Sequence, residues 1–151
     1  MKISQYLKKE FCVMDLKADT REDAIREIVG VLDGPGTIKD KEKFIADILE
    51  REQLGSTGIG HNVAIPHART DVVEGFVIGM GKSGKGIDFN SIDGEKVHII
   101  FLMGASVKEL NLYLRLLAEL SKLLMNSSFR EQLMSAQTSE EVLAVFEKFE
   151  K

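Results

Sequence analysis

The segment Val97–Met103 constrains the fold more than any other part of this sequence. Apart from His98, every residue in it is apolar, and its length is typical of a strand. A strand that is apolar on both sides has to be covered on both faces, as strands inside α/β sheets are. The sequence therefore predicts a central strand with further layers packed against each side of it.

Before this strand, extended segments alternate with segments of helical periodicity. Phe11–Leu16 suits a strand by its length and residue types. A helix should follow, because Thr20 can cap its N-terminus and apolar residues recur at helical spacing as far as the stop signal Asp33–Gly36. Asp40 can cap a second helix, whose end is marked by Gly55.

Between the second helix and the central strand, the chain changes to short segments rich in glycine. Gly55–Asn62 is a loop by composition, and it leads into the strand-like run Val63–Ile65 and then Pro66 and His67. Phe76–Met80 is a further candidate strand. Together with the central strand, these segments supply the strands of a sheet.

The last third of the chain is helical by its pattern. We expect three helices, the middle one short, each introduced by a capping box in which Ser or Thr precedes Glu by three residues. The three pairs are Ser106 with Glu109, Ser128 with Glu131, and Thr138 with Glu141. The first helix carries an apolar stripe of Leu110, Tyr113, Leu117, Leu120 and Leu124. Strands interleaved with helices and followed by a helical end predict an α/β fold, a mixed β-sheet with helices on both faces.

Size and charge narrow the class of protein. The 151 residues suit a single domain, residues 1–151, built around one core. A formal net charge of -4 argues against a nucleic-acid binder. Cys12 is the only cysteine, which excludes an internal disulfide and favours a reducing compartment. With no apolar signal-peptide core and no run long enough to cross a bilayer, we expect a cytoplasmic protein without membrane insertion.

His67 stands out among the three histidines. Pro66 fixes its own φ and restricts Ile65 to extended conformations, so the imidazole follows a stiff stretch of backbone at the end of a strand. Backbone N–H groups of the nearby glycine-rich loop can cup the oxygens of a phosphoryl group without a metal. The loop residues expected to contribute are Ser56, Thr57, Gly58 and Asn62. We expect Asn62 to occupy a left-handed turn, which asparagine tolerates.

The chemistry of His67 is not decided by these residues alone. With an ordinary pKa of about 6.5, the ring is mostly neutral at pH 7, as a nucleophile has to be. A histidine after proline is, however, often no more than a surface or capping residue.

A longer pattern around His67 resembles a known family. Arg51–Gly60 followed by His61–Ala68 is similar to the active-site signature of the fructose/mannitol-type enzyme IIA family of the bacterial phosphoenolpyruvate:sugar phosphotransferase system. The likeness extends to Val97–Met103, to the helix around Leu116–Ala118 and to Ala136–Val142. It resembles most the nitrogen-regulatory branch, whose members are free-standing.

The resemblance implies roles for two residues. His67 would accept a phosphoryl group from a small histidine-containing phosphocarrier protein, with no metal and no cofactor. Arg51 matches an active-site arginine of the family, and a guanidinium fork can pair with phosphoryl oxygens. Its alternative interpretation is a cation that stabilises the C-terminus of a helix.

Tyr113 is where the sequence departs from the family. Many members carry a second active-site histidine on the helix after the last strand, and Tyr113 occupies that position here. A tyrosine donates one hydrogen bond but supplies no positive charge. Core packing on the apolar stripe explains the residue equally well. The departure favours a slow regulatory role over efficient sugar phosphorylation.

Three functions remain open at this stage. The first is a regulatory phosphocarrier that signals to target proteins. The others are a sugar-specific enzyme IIA that passes its phosphoryl group to an enzyme IIB, and a protein-binding module of the same fold without catalysis.

Two other motifs do not support a function. Gly81-Lys82-Ser83 lacks the earlier glycine of a nucleotide-binding loop, since Phe76 occupies that position. His61, His67 and His98 do not have the spacing of a zinc site.

Overall fold

The computed structural model describes residues 2–32 and 37–150 of the chain. Within these ranges, six strands form one mixed sheet. The strands are β1 (Cys12–Val13), β2 (Gly58–Gly60), β3 (Val63–Ala64), β4 (His67–Thr70), β5 (Phe76–Ile87) and β6 (Val97–Ser106). The helices are α1 (Arg21–Val31), α2 (Lys41–Gln53), α3 (Leu110–Leu124), α4 (Ser127–Ser135) and α5 (Ser139–Phe149), and two 3-10 turns, Ile3–Gln5 and Lys9–Phe11, precede β1.

The predicted central strand is β6. It runs antiparallel to β5 on one side and parallel to both β3 and β4 on the other. β1 extends the sheet beyond β5, and β2 extends it beyond β3. β6 is buried almost throughout and continues three residues past the predicted end at Met103.

Both faces of the sheet are covered by helices, as the sequence predicts. One face carries α1 and α2, and the other carries α3, α4 and α5. The expectation of one core is wrong, because the sheet divides the apolar side chains into two clusters. Ile99, Phe101 and Met103 of β6 enter the cluster under α3–α5, whereas Ile100 and Leu102 enter the cluster under α1 and α2.

The first two helices begin where the sequence places them. The Thr20 hydroxyl accepts a hydrogen bond from the amide of Asp23 at 3.2 Å, and the Asp40 carboxylate accepts one from the amide of Lys43 at 3.1 Å. α2 ends two residues before Gly55 as expected. The stop signal Asp33–Gly36 lies outside the described residues, and α1 ends at Val31.

The caps of the C-terminal helices agree only in part. Ser106 does not cap a helix, because it is the last residue of β6 and α3 begins four residues later. The prediction that Ser128 caps α4 is also wrong. Asn126 caps this helix and accepts hydrogen bonds from the amides of Ser128 and Phe129. Thr138 caps α5 as predicted.

The buried face of α3 is rotated from the predicted stripe. Leu110 is 43% exposed, while Tyr113, Leu120 and Leu124 are buried as expected. Leu116 is fully buried on this face, whereas Leu117 is only partly buried against the same cluster.

The earlier strands differ from the predictions in length. Only Cys12–Val13 of the Phe11–Leu16 segment is a strand, since a 3-10 turn occupies the residues before it. The predicted loop Gly55–Asn62 contains β2, which turns into β3 through His61 and Asn62, with φ of 56° and 66°. Two left-handed residues in a tight turn suit a hairpin, and Asn62 adopts the conformation expected of it.

β5 is longer than Phe76–Met80 because it continues through the glycine-rich stretch up to Ile87. Gly81, part of the discarded nucleotide-loop motif, therefore lies in a strand. A Cβ at Gly81 would lie 2.6 Å from Cδ1 of Ile28, so glycine lets α1 pack closely on the sheet.

Candidate active site

The segment that carries His67 follows one edge of β6 with a break at Pro66. β3 pairs with the first half of β6, and β4 pairs with the second half, where His67 lies opposite Met103. Pro66 has no N–H, but its carbonyl accepts a hydrogen bond from the amide of Met103 at 3.0 Å. His67 follows the end of β3 as expected, but it is also the first residue of β4, a strand that the sequence analysis did not predict.

One of the two nitrogens of the His67 ring makes a hydrogen bond to the backbone. Nδ1 lies 2.7 Å from the carbonyl oxygen of Ile65. Because a carbonyl oxygen only accepts, Nδ1 carries the proton of the neutral ring. The lone pair that can act as a nucleophile is then on Nε2.

The surroundings of His67 favour its neutral form. Burial lowers the pKa of the imidazole below its ordinary value of 6.5. The hydrogen bond to Ile65 and the carboxylate of Glu52 raise that pKa, while the positive charge of Arg51 lowers it further. The ring is therefore unprotonated at neutral pH.

His67 opens onto a cleft of about 670 Å³ between α2, β4 and the start of α3. Charges of both signs line it, together with apolar side chains. The lining residues are Lys43, Asp47, Glu50, Arg51, Leu54, His67, Ala68, Arg69, Thr70, Asp71, Val107 and Tyr113.

Arg51 lies in the last turn of α2 and faces this cleft. Its Nη1 donates to the carbonyl oxygen of Gly55 at 2.9 Å, so it does bind a carbonyl after the helix C-terminus. A guanidinium has five N–H donors in a planar fork, and this bond uses one of them. The helix-end role and a contact with an anion in the cleft are therefore compatible.

Tyr113 both faces His67 and belongs to the core. The two ring centroids lie 5.9 Å apart, with the ring planes tilted by 52°. The tyrosine is only 8% exposed and packs in the cluster under α3–α5. Burial raises the pKa of its hydroxyl, and this effect outweighs the lowering by the nearby charges of Arg51 and Arg69. The hydroxyl is therefore a neutral donor near pH 7.

The four predicted loop residues do not line the cleft. Their polar groups are bound elsewhere. The Ser56 hydroxyl donates to the carbonyl of Phe89, the Thr57 hydroxyl donates to Glu52, Gly58 pairs with Ala64, and the Asn62 amide donates to the carbonyl of Lys96. The structure thus brings His67, Arg51 and Tyr113 together but separates Ser56, Thr57, Gly58 and Asn62 from them.

Arg69 is a cleft residue that the sequence reasoning missed. It lies two residues after His67 in β4, and side chains two apart in a strand share one face. Its Nη1 donates to the carbonyl oxygen of Val107 at 3.1 Å. The spacing of two within a strand was the signal that could have found it, had β4 been predicted.

The other histidines lie apart from this cleft. His61 borders a different surface depression, with Asn62 and residues of α4. His98 Nδ1 lies 2.7 Å from the carbonyl oxygen of Ser83. Within residues 2–32 and 37–150, no three His, Cys, Asp or Glu side chains are grouped to hold a metal ion.

The fold and the cleft define an α/β domain with a half-buried histidine of lowered pKa that shares a cleft with Arg51 and Arg69. The family model described as "Phosphoenolpyruvate-dependent sugar phosphotransferase system, EIIA 2" matches residues 5–149. The chain belongs to this family and is an enzyme IIA-type component of the phosphotransferase system.

Two of the relatives that resemble the chain are named as fructose-specific. It is 36% identical over its whole length to the "PTS system fructose-specific EIIABC component" of Bacillus subtilis, of which it spans 24%. It is 33% identical to the "PTS system fructose-specific EIIA component" of Haloferax volcanii over 83% of each chain.

A solved structure confirms the fold. The Nitrogen Regulatory Protein IIA-Ntr from Neisseria meningitidis superposes with a TM-score of 0.88 and 27% identity, covering 95% of this chain and 98% of that one. In the part of the chain that the structure describes, no helix has the length and apolarity to span a membrane.

Proposed function

We propose that this protein is a regulatory phosphocarrier that accepts a phosphoryl group on Nε2 of His67 and signals through contacts with other proteins. The donor would be a histidine-containing phosphocarrier protein. The observation that carries the proposal is the hydrogen bond from Nδ1 of His67 to Ile65, which leaves a nucleophilic Nε2 beside the cleft.

The transfer would be a displacement at phosphorus. The Nε2 lone pair of His67 forms the new N–P bond while the N–P bond of the donor phosphohistidine breaks, and the leaving imidazole keeps that electron pair. The proton stays on Nδ1, and the Ile65 carbonyl oxygen that accepts its hydrogen bond supports the positive charge that develops on the ring of His67.

The cleft supplies groups that match a phosphoryl dianion. Arg51 and Arg69 offer charge-assisted donors from two sides of the cleft. Tyr113 can add one neutral hydrogen bond. Such contacts balance charge on the phosphoryl oxygens during transfer and in the phosphorylated protein.

Exposed apolar side chains around the cleft support contact with proteins. Leu54 at the end of α2 is 82% exposed, and Val107 and Leu114, next to Arg69 and Tyr113, are 47% and 50% exposed. Apolar residues beside charged ones are typical of docking surfaces. The neutral Tyr113 in place of a second histidine favours slow transfer and therefore a regulatory use.

The second candidate is a sugar-specific enzyme IIA that delivers the phosphoryl group to an enzyme IIB. The higher identities, 36% and 33%, are to proteins named as fructose-specific. Phosphorylated protein mixed with a fructose-type enzyme IIB separates the candidates: rapid loss of the label to enzyme IIB supports the sugar-specific role, and retention of the label supports the regulatory one.

Labelling tests the proposal directly. Incubation with phosphoenolpyruvate and the two upstream carrier proteins should add one phosphoryl group, labile to acid and stable to alkali. His67→Ala should abolish the label. His98→Gln is the matched control, because its Nδ1 also binds a carbonyl but lies outside the cleft; it should label normally. Equal labelling of wild type and His67→Ala would refute the acceptor role.

A further inference from the structure

A buried carboxylate next to Arg51 has been described so far only by its effect on the pKa of His67 and its bond to Thr57. Glu52 is 3% exposed, although glutamate is rarely buried without partners. Its carboxylate accepts hydrogen bonds from the hydroxyl and, at 3.3 Å, from the amide of Thr57. Nη1 of Arg21, on α1, lies 3.5 Å from it. These contacts hold Thr57 firmly against the end of α2.

Thr57 in turn holds the residue that orients His67. The carbonyl oxygen of Thr57 accepts a hydrogen bond from the amide of Ile65 at 3.0 Å. Ile65 then accepts the bond from Nδ1 of His67. Since Pro66 restricts Ile65 to extended conformations, fixing the amide of Ile65 also fixes the direction of its carbonyl.

We propose that Glu52 is a positioning residue for His67. Acting through Thr57 and Ile65, it holds the imidazole as the Nδ1–H tautomer, with Nε2 directed to the cleft. The inference rests on the proposed transfer to His67 for its functional meaning, but the tautomer itself is a property of the unphosphorylated protein.

Glu52 also acts on His67 by its charge. Its carboxylate raises the pKa of the imidazole, opposing the effects of burial and of Arg51. The other charged or titratable groups at the cleft are Lys43, Asp47, Glu50, Arg69, Asp71 and Tyr113. Replacing Glu52 with glutamine leaves all of these in place, so a change in His67 can be assigned to the carboxylate.

The matched control lies on the same two helices. Arg26 on α1 and Glu42 on α2 form an ion pair at 3.1 Å, with both side chains exposed and outside the cleft. Glu42→Gln therefore makes the same change of charge and breaks the same kind of pair between α1 and α2. It should leave His67 unchanged.

The experiment is nitrogen-15 NMR of the His67 ring in the unphosphorylated protein, over a pH series, for wild type, Glu52→Gln and Glu42→Gln. Wild type should show a protonated Nδ1 and an unprotonated Nε2 when neutral. Glu52→Gln should increase the Nε2–H tautomer and lower the pKa of His67. Single-turnover labelling should slow about tenfold, as for outer hydrogen-bond partners of metal-binding histidines.

Thr57 provides the second test, which also serves if Glu52→Gln fails to fold. Thr57→Val removes the hydroxyl and keeps the shape, and it should shift the tautomer in the same direction. Thr57→Ser keeps the hydroxyl and should behave as wild type. Tautomer and pKa values equal to wild type in Glu52→Gln, or tautomer values equal to wild type in Thr57→Val, would overturn the positioning role. A shifted tautomer in a protein that never accepts a phosphoryl group would support positioning and refute the proposed function instead.

Discussion

At the scale of single residues, the state of His67 is set by groups with opposing effects. Burial is the largest cause and lowers the pKa of His67. The charge of Arg51 lowers it further, while the Ile65 carbonyl and Glu52 raise it. The neutral ring with a fixed proton on Nδ1 is what a nucleophile at Nε2 requires.

The lowered pKa of His67 predicts a pH dependence with a definite sign. In the unfolded chain the ring binds a proton near its ordinary value of 6.5, but in the folded protein it does so only at lower pH. The related stability is therefore complete above pH 6.5 and is lost as the pH falls towards the folded value. Arg51→Ala should move the pKa of His67 upwards in an NMR titration. Arg26 lies outside the cleft, so Arg26→Ala should not change the pKa of His67.

Arg51 also predicts a change in transfer rate. Arg51→Ala removes a charge-assisted contact to the phosphoryl group and should slow labelling on the order of 10- to 100-fold. Arg51→Lys keeps the charge but loses the planar fork, and should give an intermediate rate. Circular dichroism checks that the fold is intact. A wild-type rate in Arg51→Ala would leave Arg51 only its bond to Gly55.

Tyr113 combines the two roles that the sequence could not separate. Tyr113→His offers a cation to the phosphoryl oxygens and should speed transfer roughly five- to tenfold. The same variant should melt at a lower temperature, because it places a polar ring in the apolar cluster. Tyr113→Phe should keep its stability and slow transfer slightly. A destabilised histidine variant with no faster transfer would reduce Tyr113 to packing alone.

At the scale of secondary-structure elements, local capping signals competed with each other and with the sheet. Asn126 is as good a cap as Ser128, and a start two residues earlier adds backbone hydrogen bonds to α4. Ser106 pairs with Thr70 in the sheet, so the strand, not the helix, takes it. The pattern of three capping boxes is real in the sequence, but only Thr138 caps a helix, and Glu141 binds the amide of Gln137 instead of completing the box.

The corrected cap of α4 gives a stability prediction. Asn126→Ala removes the acceptor for two amides and should lower the free energy of unfolding by about 1 kcal/mol. Ser128→Ala should change it by less than about 0.5 kcal/mol, since that hydroxyl caps nothing. Urea denaturation of both variants decides this, and the reverse order of effects would restore Ser128 as the cap.

At the scale of the whole molecule, one carboxylate joins distant parts of the chain. Glu150 follows α5 and is 7% exposed, and it accepts hydrogen bonds from the amides of Ile3 at 2.6 Å and Ser4 at 3.0 Å. Ile3 and Leu7 belong to the cluster under α3–α5, so this contact fixes the first turn against that layer.

Removing this contact should destabilise the protein. Glu150→Ala leaves two amides without their charged acceptor and should cost about 2 kcal/mol of unfolding free energy. Glu147→Ala, an exposed residue of α5, is the control and should change it by less than about 0.5 kcal/mol. The measurement is chemical denaturation, and equal midpoints for both variants would show that Glu150 anchors nothing.

The sequence by itself determined the features that depend on nearby residues. The apolar run of β6, the caps Thr20, Asp40 and Thr138, and the 18-residue signature around His67 were all readable, because each is written within a few positions. They established the α/β fold, the helices on both faces and the family. The prediction that His67, Arg51 and Tyr113 share a site also rests on that signature and on the counted position of Tyr113.

Only the tertiary structure decided which distant groups meet. Arg69 faces the cleft because β4 pairs with β6, and Thr57 binds Glu52 instead of lining the cleft because β2 folds back on β3. The sheet also splits the apolar residues into two clusters. A buried hydrogen bond or a shared cleft joins residues far apart in sequence, and its free energy depends on packing that no local pattern records.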